Sequence, residues 1–218
     1  MRETWMLEGL LLAACALLCL LLYRIKACLP KRSGGSPLAI GKGLTVKTMV
    51  FFGSGGHTME MCRLITKMDA AKYHPVCFAI GHTDTTSVDK VRAMNIGLEK
   101  SARWLRIYRN REVKQSWLST VFTSAWSLIQ GFYVIYRYRP QLLVCNGPGT
   151  CLSLCYSCFL LNVLGLTSTK IVFVESFCRV RALSLTGKLL LPIADKFIVQ
   201  WPELVAQGSR MEYIGTLC

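Results

Sequence analysis

A short apolar run that breaks into glycines is the feature that most constrains how this chain can fold. Residues 48–58 read Thr-Met-Val-Phe-Phe-Gly-Ser-Gly-Gly-His-Thr, which is typical of a buried strand, a tight turn and a helix start. Glycines permit positive φ angles and close approach of another group, and a helix start offers unpaired N–H groups to an anion. The segment therefore predicts a strand–turn–helix unit with a phosphate site at its turn.

The glycine spacing matches the dinucleotide-binding fingerprint of Rossmann folds only in part. Gly53 and Gly55 fit that pattern, but its third glycine would fall at Thr58. The acidic residue that binds a ribose should end the second predicted strand near Ile80, whereas Asp84 comes later. Two interpretations stay open at this point: a phosphate site of another kind, and a glycine-rich turn that binds no ligand.

Apolar runs with strand character alternate with longer helical segments, which is typical of a parallel sheet covered by helices. About 175 residues suit one domain, so we predict a single Rossmann-like α/β domain over 45–218, with no internal repeat. The predicted strands are 45–52, 76–80, 105–108, 142–145, 170–174 and 196–200.

Two apolar segments inside that region need separate interpretation. Residues 121–136 include Ser, Thr, Gln and Gly and precede two arginines, so we predict a core or membrane-surface helix rich in aromatic residues. Residues 151–166 are nearly as apolar as a membrane span, but they lie between two predicted strands. We therefore predict a buried crossover helix there.

The N-terminal part of the chain carries a long apolar run, uninterrupted from Gly9 to Tyr23. A spanning helix needs roughly 17 to 25 residues, and no small-x-small site for cleavage of a signal peptide follows the run. We predict a membrane anchor at 6–23, a short lumenal segment at 1–5, and a basic, glycine- and serine-rich tether at 24–44. Because the positive flank stays in the cytosol, nearly the whole chain should be cytosolic. The basic residues of that flank are Arg24, Lys26, Lys31 and Arg32.

The formal net charge of +14 concerns partners rather than the fold. Nucleic acid, anionic lipid and a phosphorylated substrate could each bind the most basic stretch. The predicted anchor favours the second and third, so we expect no nucleic acid partner; a merely solvated basic face is the alternative. The basic residues of this stretch are Lys90, Arg92, Lys100, Arg103, Arg106, Arg109, Arg111 and Lys114.

The chain has 11 cysteines, several of them in apolar segments, and cytosolic placement predicts reduced, buried thiols. Cys151, Cys155 and Cys158 have the spacing of some iron–sulfur sites. Their separation by four and then three residues in a leucine-rich segment instead predicts one buried stripe of a helix. We therefore expect neither a metal nor a cofactor.

Ligands of open parallel sheets gather at the carboxyl ends of the strands, and three predicted loops qualify. The first is formed by Gly53, Ser54, Gly55, Gly56, His57 and Thr58, the second by Asn146, Gly147, Pro148, Gly149 and Thr150, and the third runs from Glu175 to Arg179. Each has a structural alternative, since Asn146 could cap a helix and Glu175 could pair with Arg179. Their common position predicts one cleft.

A base and a diphosphate binder in one cleft suit group transfer to a hydroxyl of a phosphate-linked acceptor. An imidazole titrates near neutral pH, so His57 is the first candidate for the base, and Glu175 is the second.

Several segments, taken in order, resemble the membrane-anchor subunit of the UDP-N-acetylglucosamine transferase in the asparagine-linked glycosylation family. They are Gly53–Thr58, Arg111–Val113 with Gln115–Trp117, Cys145–Thr150, Val174–Ser176 with Arg179, and Phe197–Pro202. More distantly, the chain is similar to the N-terminal half of the bacterial transferase that adds N-acetylglucosamine to a lipid-linked peptidoglycan precursor. The resemblance implies one Rossmann-like half of a two-domain GT-B glycosyltransferase, with an N-terminal transmembrane helix.

The resemblance further implies that a cytosolic donor-binding glycosyltransferase subunit is a separate chain, without which this one is inactive. The pair would add the second N-acetylglucosamine to a dolichyl-diphosphate-linked acceptor at the cytosolic face of the endoplasmic reticulum membrane. The glycine loop would contact the diphosphate, with His57 as the base and Asn146–Thr150 and Glu175 beside it. Two alternatives remain: a membrane-tethered nucleotide-binding oxidoreductase, and a purely structural recruiter.

Overall fold

The computed structural model describes residues 2–30, 44–110, 115–206, 208 and 210–217. Most of the predicted tether lies outside these residues, and so do Arg111 and Lys114 of the basic stretch.

In the part of the chain that the structure describes, seven parallel strands form one sheet in the order β3-β2-β1-β4-β5-β6-β7. Their bounds are β1 Thr48–Phe52, β2 Val76–Gly81, β3 Arg103–Ile107, β4 Leu142–Asn146, β5 Lys170–Val174, β6 Lys196–Val199 and β7 Met211–Tyr213. Consecutive strands run outward from β1 to β3, and the chain then crosses to the other side of β1, so the strand order reverses between β1 and β4. This switch point is where open α/β sheets bind ligands.

All six predicted strands exist, and the α/β fold class is confirmed. The strand β7 was missed because its three residues are too short for a periodic signal. The predicted start of β3 at Leu105 was late: pairing with β2 begins at Arg103. Because β3 is at the edge of the sheet, its arginines can stay in solvent, and they interrupt the apolar pattern on which the prediction rested.

Helices cover both faces of the sheet. Their bounds are α1 Arg2–Cys28, α2 Gly56–Thr66, α3 Ser87–Ala93, α4 Trp117–Tyr138, α5 Cys151–Val163, α6 Leu185–Leu190 and α7 Pro202–Val205, with a 3-10 turn at Leu98–Lys100. One core contains Met61 of α2 and Val91 of α3. The other contains Ile135 of α4, Leu161 of α5 and Leu190 of α6. The helices α4, α5 and α6 therefore share one face, opposite α2 and α3.

The buried crossover helix predicted at 151–166 is confirmed as α5, whose eight buried residues include all three of its cysteines. The segment 121–136 is also a helix, and α4 extends beyond it at both ends. Its buried Ile135 belongs to the core, while much of its opposite face is exposed.

The N-terminal helix α1 continues past the predicted anchor to Cys28. Within it, the segment Trp5–Cys28 contains a window of 18 residues with a mean hydropathy of 2.3 and no buried residue, and by length and composition the segment could cross a membrane. Near its end, the Arg24 guanidinium donates to the carbonyl oxygens of Val163 and Asn162 at 2.9 and 2.6 Å. A cation there satisfies the last carbonyl groups of α5 and complements its dipole. The base of α1 is thereby attached to α5.

Candidate functional site

The glycine loop between β1 and α2 is shaped by its neighbours. A Cβ added at Gly53 would overlap Pro148 and His57, so a larger residue would push two loops apart. Gly55 has a φ of 71° and precedes the first turn of α2, which contains no acidic residue. The N–H groups at the start of this 11-residue helix have no intrahelical partners, and they face the loop.

Thr58 fixes the loop from inside rather than lining the cleft. Its buried hydroxyl lies 2.5 Å from the Gly53 carbonyl oxygen and 2.7 Å from the Ser87 hydroxyl. Ser87 in turn donates to Asp84 Oδ2 at 2.5 Å. Asp84 also accepts the N–H groups of Thr86 and Ser87, which caps the start of α3. Asp84, the candidate for binding a ribose, is therefore buried, and its carboxylate is hydrogen-bonded to the start of α3.

The loop after β4 packs directly against His57. Gly147 has a φ of 54°, and a Cβ there would collide with the imidazole ring. The Asn146 side chain is buried and donates through Nδ2 to the His57 carbonyl oxygen at 3.0 Å. Within the part of the chain that the structure describes, no donor reaches Asn146 Oδ1. The glycine at 147 is thus required by both its backbone angle and the ring beside it.

Glu60 joins the three loops, and sequence reasoning missed it. Its Oε2 lies 3.5 Å from His57 Nδ1 and accepts from Asn146 Nδ2 at 3.3 Å. Its Oε1 accepts from Ser176 Oγ at 2.9 Å. Burial alone would raise the pKa of the Glu60 carboxyl, but the contacts with His57, Ser176 and Asn146 outweigh it and lower that pKa. Glu60 is therefore an ionised carboxylate at neutral pH.

Glu175, the second candidate base, is fully buried. Its Oε1 accepts from the Ser176 N–H at 3.0 Å, and its Oε2 accepts from the N–H and the hydroxyl of Ser184 at 3.0 Å each. Its backbone oxygen also accepts from Gln200 Nε2. These contacts, rather than a pair with Arg179, hold the loop after β5 against the start of α6 and favour a positioning role for this carboxylate.

The three loops surround two cavities, each of about 280 Å³. The predicted site residues Gly53, Ser54, Gly149 and Thr150 line the first, and Gly56, His57, Gly147, Glu175 and Arg179 line the second. The structure thus brings nine predicted residues to the two cavities; Gly55, Thr58 and Asn146 shape the loops between them.

Arg109 lines the first cavity together with Asn110 and was not singled out as a site residue. In the sequence, Arg109 was noted only as one member of the basic stretch. The described members of that stretch separate in space: Lys90 and Arg92 lie on α3, while Arg103 and Arg106 lie on the edge strand β3. The structure therefore brings one of these cations, Arg109, to the cleft, and the sheet order is needed to identify which one.

Three cysteines come together below the cleft. The sulfur atoms of Cys145, Cys151 and Cys155 lie within 4.8 Å of one another, all buried in the core. Burial raises the pKa of the Cys155 thiol well above its ordinary value. Cys158 of the predicted stripe is buried in the same core.

The arrangement combines an imidazole beside a carboxylate with two groups of anion-binding elements. Nδ1 of His57 makes no hydrogen bond within the described residues, so the Glu60 carboxylate 3.5 Å away acts on the ring through its charge. An imidazole placed beside a bound hydroxyl can accept its proton. The helix start, the loop N–H groups, Arg109 and Arg179 can neutralise phosphate oxygens. Proton removal beside a bound phosphate or diphosphate is the chemistry these groups support.

Comparisons with known proteins agree with this architecture. Residues 48–217 match the family model described as "Oligosaccharide biosynthesis protein Alg14 like". The crystal structure of Acinetobacter baumannii MurG superposes with a TM-score of 0.54 at 12% identity, over 73% of this chain and 42% of that protein. At this identity the similarity concerns the fold alone.

Several relatives of this chain are named UDP-N-acetylglucosamine transferase subunit ALG14, among them proteins of Yarrowia lipolytica and of human. The protein of Yarrowia lipolytica is 39% identical over 215 residues, which cover 97% of this chain and 100% of the relative. The human protein is 41% identical over 181 residues, covering 79% and 83%. The family predicted from the sequence motifs is confirmed: this chain belongs to the Alg14-like family of oligosaccharide biosynthesis proteins.

Proposed function

We propose that this chain is the membrane-anchoring, acceptor-side subunit of a UDP-N-acetylglucosamine transferase. In this proposal the complex adds the second N-acetylglucosamine to a dolichyl-diphosphate-linked acceptor, and a separate cytosolic subunit binds the sugar nucleotide. The names and coverage of the Alg14 relatives support the subunit role. The apolar helix α1 supports the anchor.

The proposed catalytic role of this chain rests on the position of His57. Its imidazole lines a cavity, stands 3.5 Å from the Glu60 carboxylate and packs against Gly147. An acceptor hydroxyl would give its proton to Nε2 while its oxygen forms the bond to the anomeric carbon of the donor sugar. The bond from that carbon to the nucleotide diphosphate breaks, and the diphosphate leaves with the bonding electrons.

The acceptor diphosphate would bind at the glycine loop. Gly53, Ser54, Gly55 and Gly56 present backbone N–H groups beside the start of α2. The other predicted contacts would come from Thr150, Gly149 and Arg179 at the cavity walls. In this proposal Thr58, Asn146 and Glu175 position the loops and do not touch the acceptor.

The proposed location is the endoplasmic reticulum membrane, with α1 as a single span. Arg24 and Lys26 follow the apolar part of α1, and the positive flank of a span stays in the cytosol. The N-terminus would then be lumenal, and the sheet would lie at the cytosolic surface, where a soluble donor-binding subunit can reach it.

The test is sugar transfer by the chain co-purified with its donor-binding subunit. We expect His57→Gln to lower kcat by about 100-fold, as for loss of a general base, with the complex intact. His82→Ala is the matched control, because that exposed imidazole stacks on Tyr108 at 4.9 Å and lies outside both cavity walls. Unchanged transfer by the His57 variant would mean that the chain is a structural recruiter and would overturn the catalytic part.

A nucleotide-binding oxidoreductase is the less favoured function. The Asp84 carboxylate that such an enzyme would use for the ribose is buried and caps α3. Saturable binding of a nicotinamide cofactor, measured by calorimetry, would revive that alternative.

A further inference from the structure

The two cavities of the cleft differ in charge. Among the described residues, Arg109 is the one charged side chain that lines the first cavity. The second cavity is lined by Arg179, but also by the carboxylates of Glu60 and Glu175. Because like charges repel, an anion is more stable in the first cavity than beside the two carboxylates of the second.

The backbone on both sides of Arg109 is held in place by α4. The Tyr108 carbonyl oxygen accepts from the Ser127 hydroxyl at 2.8 Å, and the Asn110 carbonyl oxygen accepts from the Thr123 hydroxyl at 2.6 Å. Both hydroxyl groups belong to α4. The segment that carries Arg109 is therefore fixed relative to the cavity, which limits the entropy that the arginine loses when it binds a ligand.

The side chain of Asn110 attaches this segment to the loop after β4. Its Nδ2 donates to the Gly149 carbonyl oxygen at 3.1 Å, and its Oδ1 accepts from the Ser153 hydroxyl of α5 at 2.5 Å. Gly149 lines the first cavity as well. The wall that carries Arg109 and the wall formed by the loop after β4 are thus joined by hydrogen bonds.

The side chain of Arg109 lies across the end of β2. A Cβ added at Gly81 would stand 2.9 Å from Arg109 Nε, so the glycine leaves room for the guanidinium group. The charge of Arg109 also acts on the carboxylate of Asp84. A guanidinium has five N–H donors, and one carboxylate pairs with two of them in a bidentate contact. The contact with Asp84 therefore leaves donors of Arg109 for an anion.

The glycine loop connects the two cavities. Gly53 and Ser54 line the first cavity, while Gly56 and His57 line the second. A diphosphate bound along this loop would place the sugar that it carries on the side of His57. Its other phosphoryl group, which carries the lipid, would then lie on the side of the first cavity and of Arg109.

We propose that Arg109 binds the lipid-side phosphoryl group of the acceptor and makes the cleft selective for a diphosphate over a monophosphate. This inference rests on the proposed function, in which the acceptor diphosphate binds at the glycine loop. A guanidinium forms paired, charge-assisted hydrogen bonds with phosphoryl oxygens. An acceptor with a single phosphate lacks the group that receives these bonds, and the difference in affinity between the two acceptors is the selectivity.

Binding of two synthetic lipids to the full chain in detergent micelles tests the proposal without any sugar transfer. One lipid carries N-acetylglucosamine through a diphosphate, and the other carries the same sugar through a monophosphate. We expect the unsubstituted chain to bind the diphosphate lipid about 10-fold more tightly. In Arg109→Gln the affinity for the diphosphate lipid should fall about 10-fold, and the affinity for the monophosphate lipid should change by less than about twofold.

Arg103→Gln is the matched control, because it removes the same charge from an exposed position. Arg103 is the first residue of the edge strand β3, at the strand end opposite the cleft. This variant should bind both lipids like the unsubstituted chain. If Arg109→Gln does not accumulate, Gly81→Ala takes its place, since the added Cβ displaces the guanidinium group without removing it.

Equal weakening of both lipids in the Arg109 variant, or unchanged binding of the diphosphate lipid, would overturn the inference and leave the proposed function standing. A nucleoside diphosphate offers the same phosphoryl chemistry, so UDP is measured with the same proteins. Loss of UDP binding in place of the diphosphate lipid would also overturn the inference. If the unsubstituted chain bound neither lipid, the proposed acceptor site would be wrong together with the role of Arg109.

Discussion

His57 and Glu60 stand one helical turn apart on α2, with Nδ1 3.5 Å from Oε2. The loop before α2 and the start of this helix thus place the N–H groups that could bind a diphosphate beside the imidazole of His57. Glu60, in the next turn of α2, supplies the carboxylate that faces the imidazole. Because Glu60 also accepts from Asn146 and Ser176, the geometry of the imidazole depends on the loops after β4 and β5.

The first prediction concerns Glu60 as a positioning residue. Glu60→Gln keeps the shape of the side chain but removes the charge that orients His57, so we expect kcat to fall about 10-fold with little change in KM for the acceptor. The measurement is steady-state transfer by the complex. Glu203→Gln, an exposed glutamate in α7, should leave both constants unchanged. An equal loss of kcat in the two variants would contradict a positioning role for Glu60.

The second prediction concerns pH and the Asp84 cap. Burial would raise the pKa of Asp84, but its bonds from Ser87 and Thr86 and the nearby charge of Arg109 lower that pKa from its ordinary value of 3.8. A lowered folded-state pKa contributes stability that is fully present above the ordinary value and is lost as the pH falls through the folded-state value.

We therefore expect Asp84→Asn to lower the free energy of unfolding by about 1–3 kcal/mol at neutral pH. The difference from the unsubstituted protein should shrink below about pH 3.8. Denaturant unfolding in detergent at several pH values measures it. Asp69→Asn, at an exposed turn where Oδ1 accepts the Ala71 N–H at 2.9 Å, is the control and should change stability by less than about 0.5 kcal/mol. A pH-independent difference would contradict the assignment.

The third prediction tests the internal support of the glycine loop. Thr58→Val removes a buried hydroxyl that contacts both Gly53 and Ser87, at a cost of about 1–3 kcal/mol in unfolding free energy. Thr66→Val removes a hydroxyl that donates to the Cys62 carbonyl at 2.7 Å in the last turn of the same helix. We expect only the Thr58 variant to weaken acceptor binding, measured as a raised KM. Equal KM values in the two variants would show that the loop holds its shape without this hydroxyl.

The fourth prediction separates backbone strain from steric collision. Gly147→Ala and Gly97→Ala both place a Cβ at a positive φ, but the position at Gly97 opens to empty space, whereas the one at Gly147 meets the His57 ring. Both variants should lose about 1 kcal/mol of stability. Transfer should fall at least 10-fold more for Gly147→Ala, because that Cβ displaces the imidazole. Similar transfer by both would contradict the close packing of ring and loop.

Much of the fold follows from local patterns. The run from Thr48 to Phe52 and the glycines after it predict β1, the turn and α2, because burial and turn chemistry are properties of adjacent residues. The three loops could be placed at one edge because parallel strands share their carboxyl ends. The role of Glu60 could not be predicted, since it depends on Ser176, 116 residues away.

The surface of α4 shows a different limit of the sequence. An apolar row of helical period looks the same whether it faces a core or a bilayer, so both interpretations of 121–136 stayed open. Only the arrangement of the sheet shows that Ile135 occupies the core side while Phe122 and Trp126 remain outside.

Reconstitution of sugar transfer tests the central claim most directly. Transfer of N-acetylglucosamine from its UDP derivative to a lipid-diphosphate-linked N-acetylglucosamine would be measured with this chain alone, with the donor-binding subunit alone, and with both in one membrane. We expect transfer by the pair and none by either chain alone. Transfer by the isolated chain would contradict that claim, because one Rossmann-like lobe would then bind both donor and acceptor.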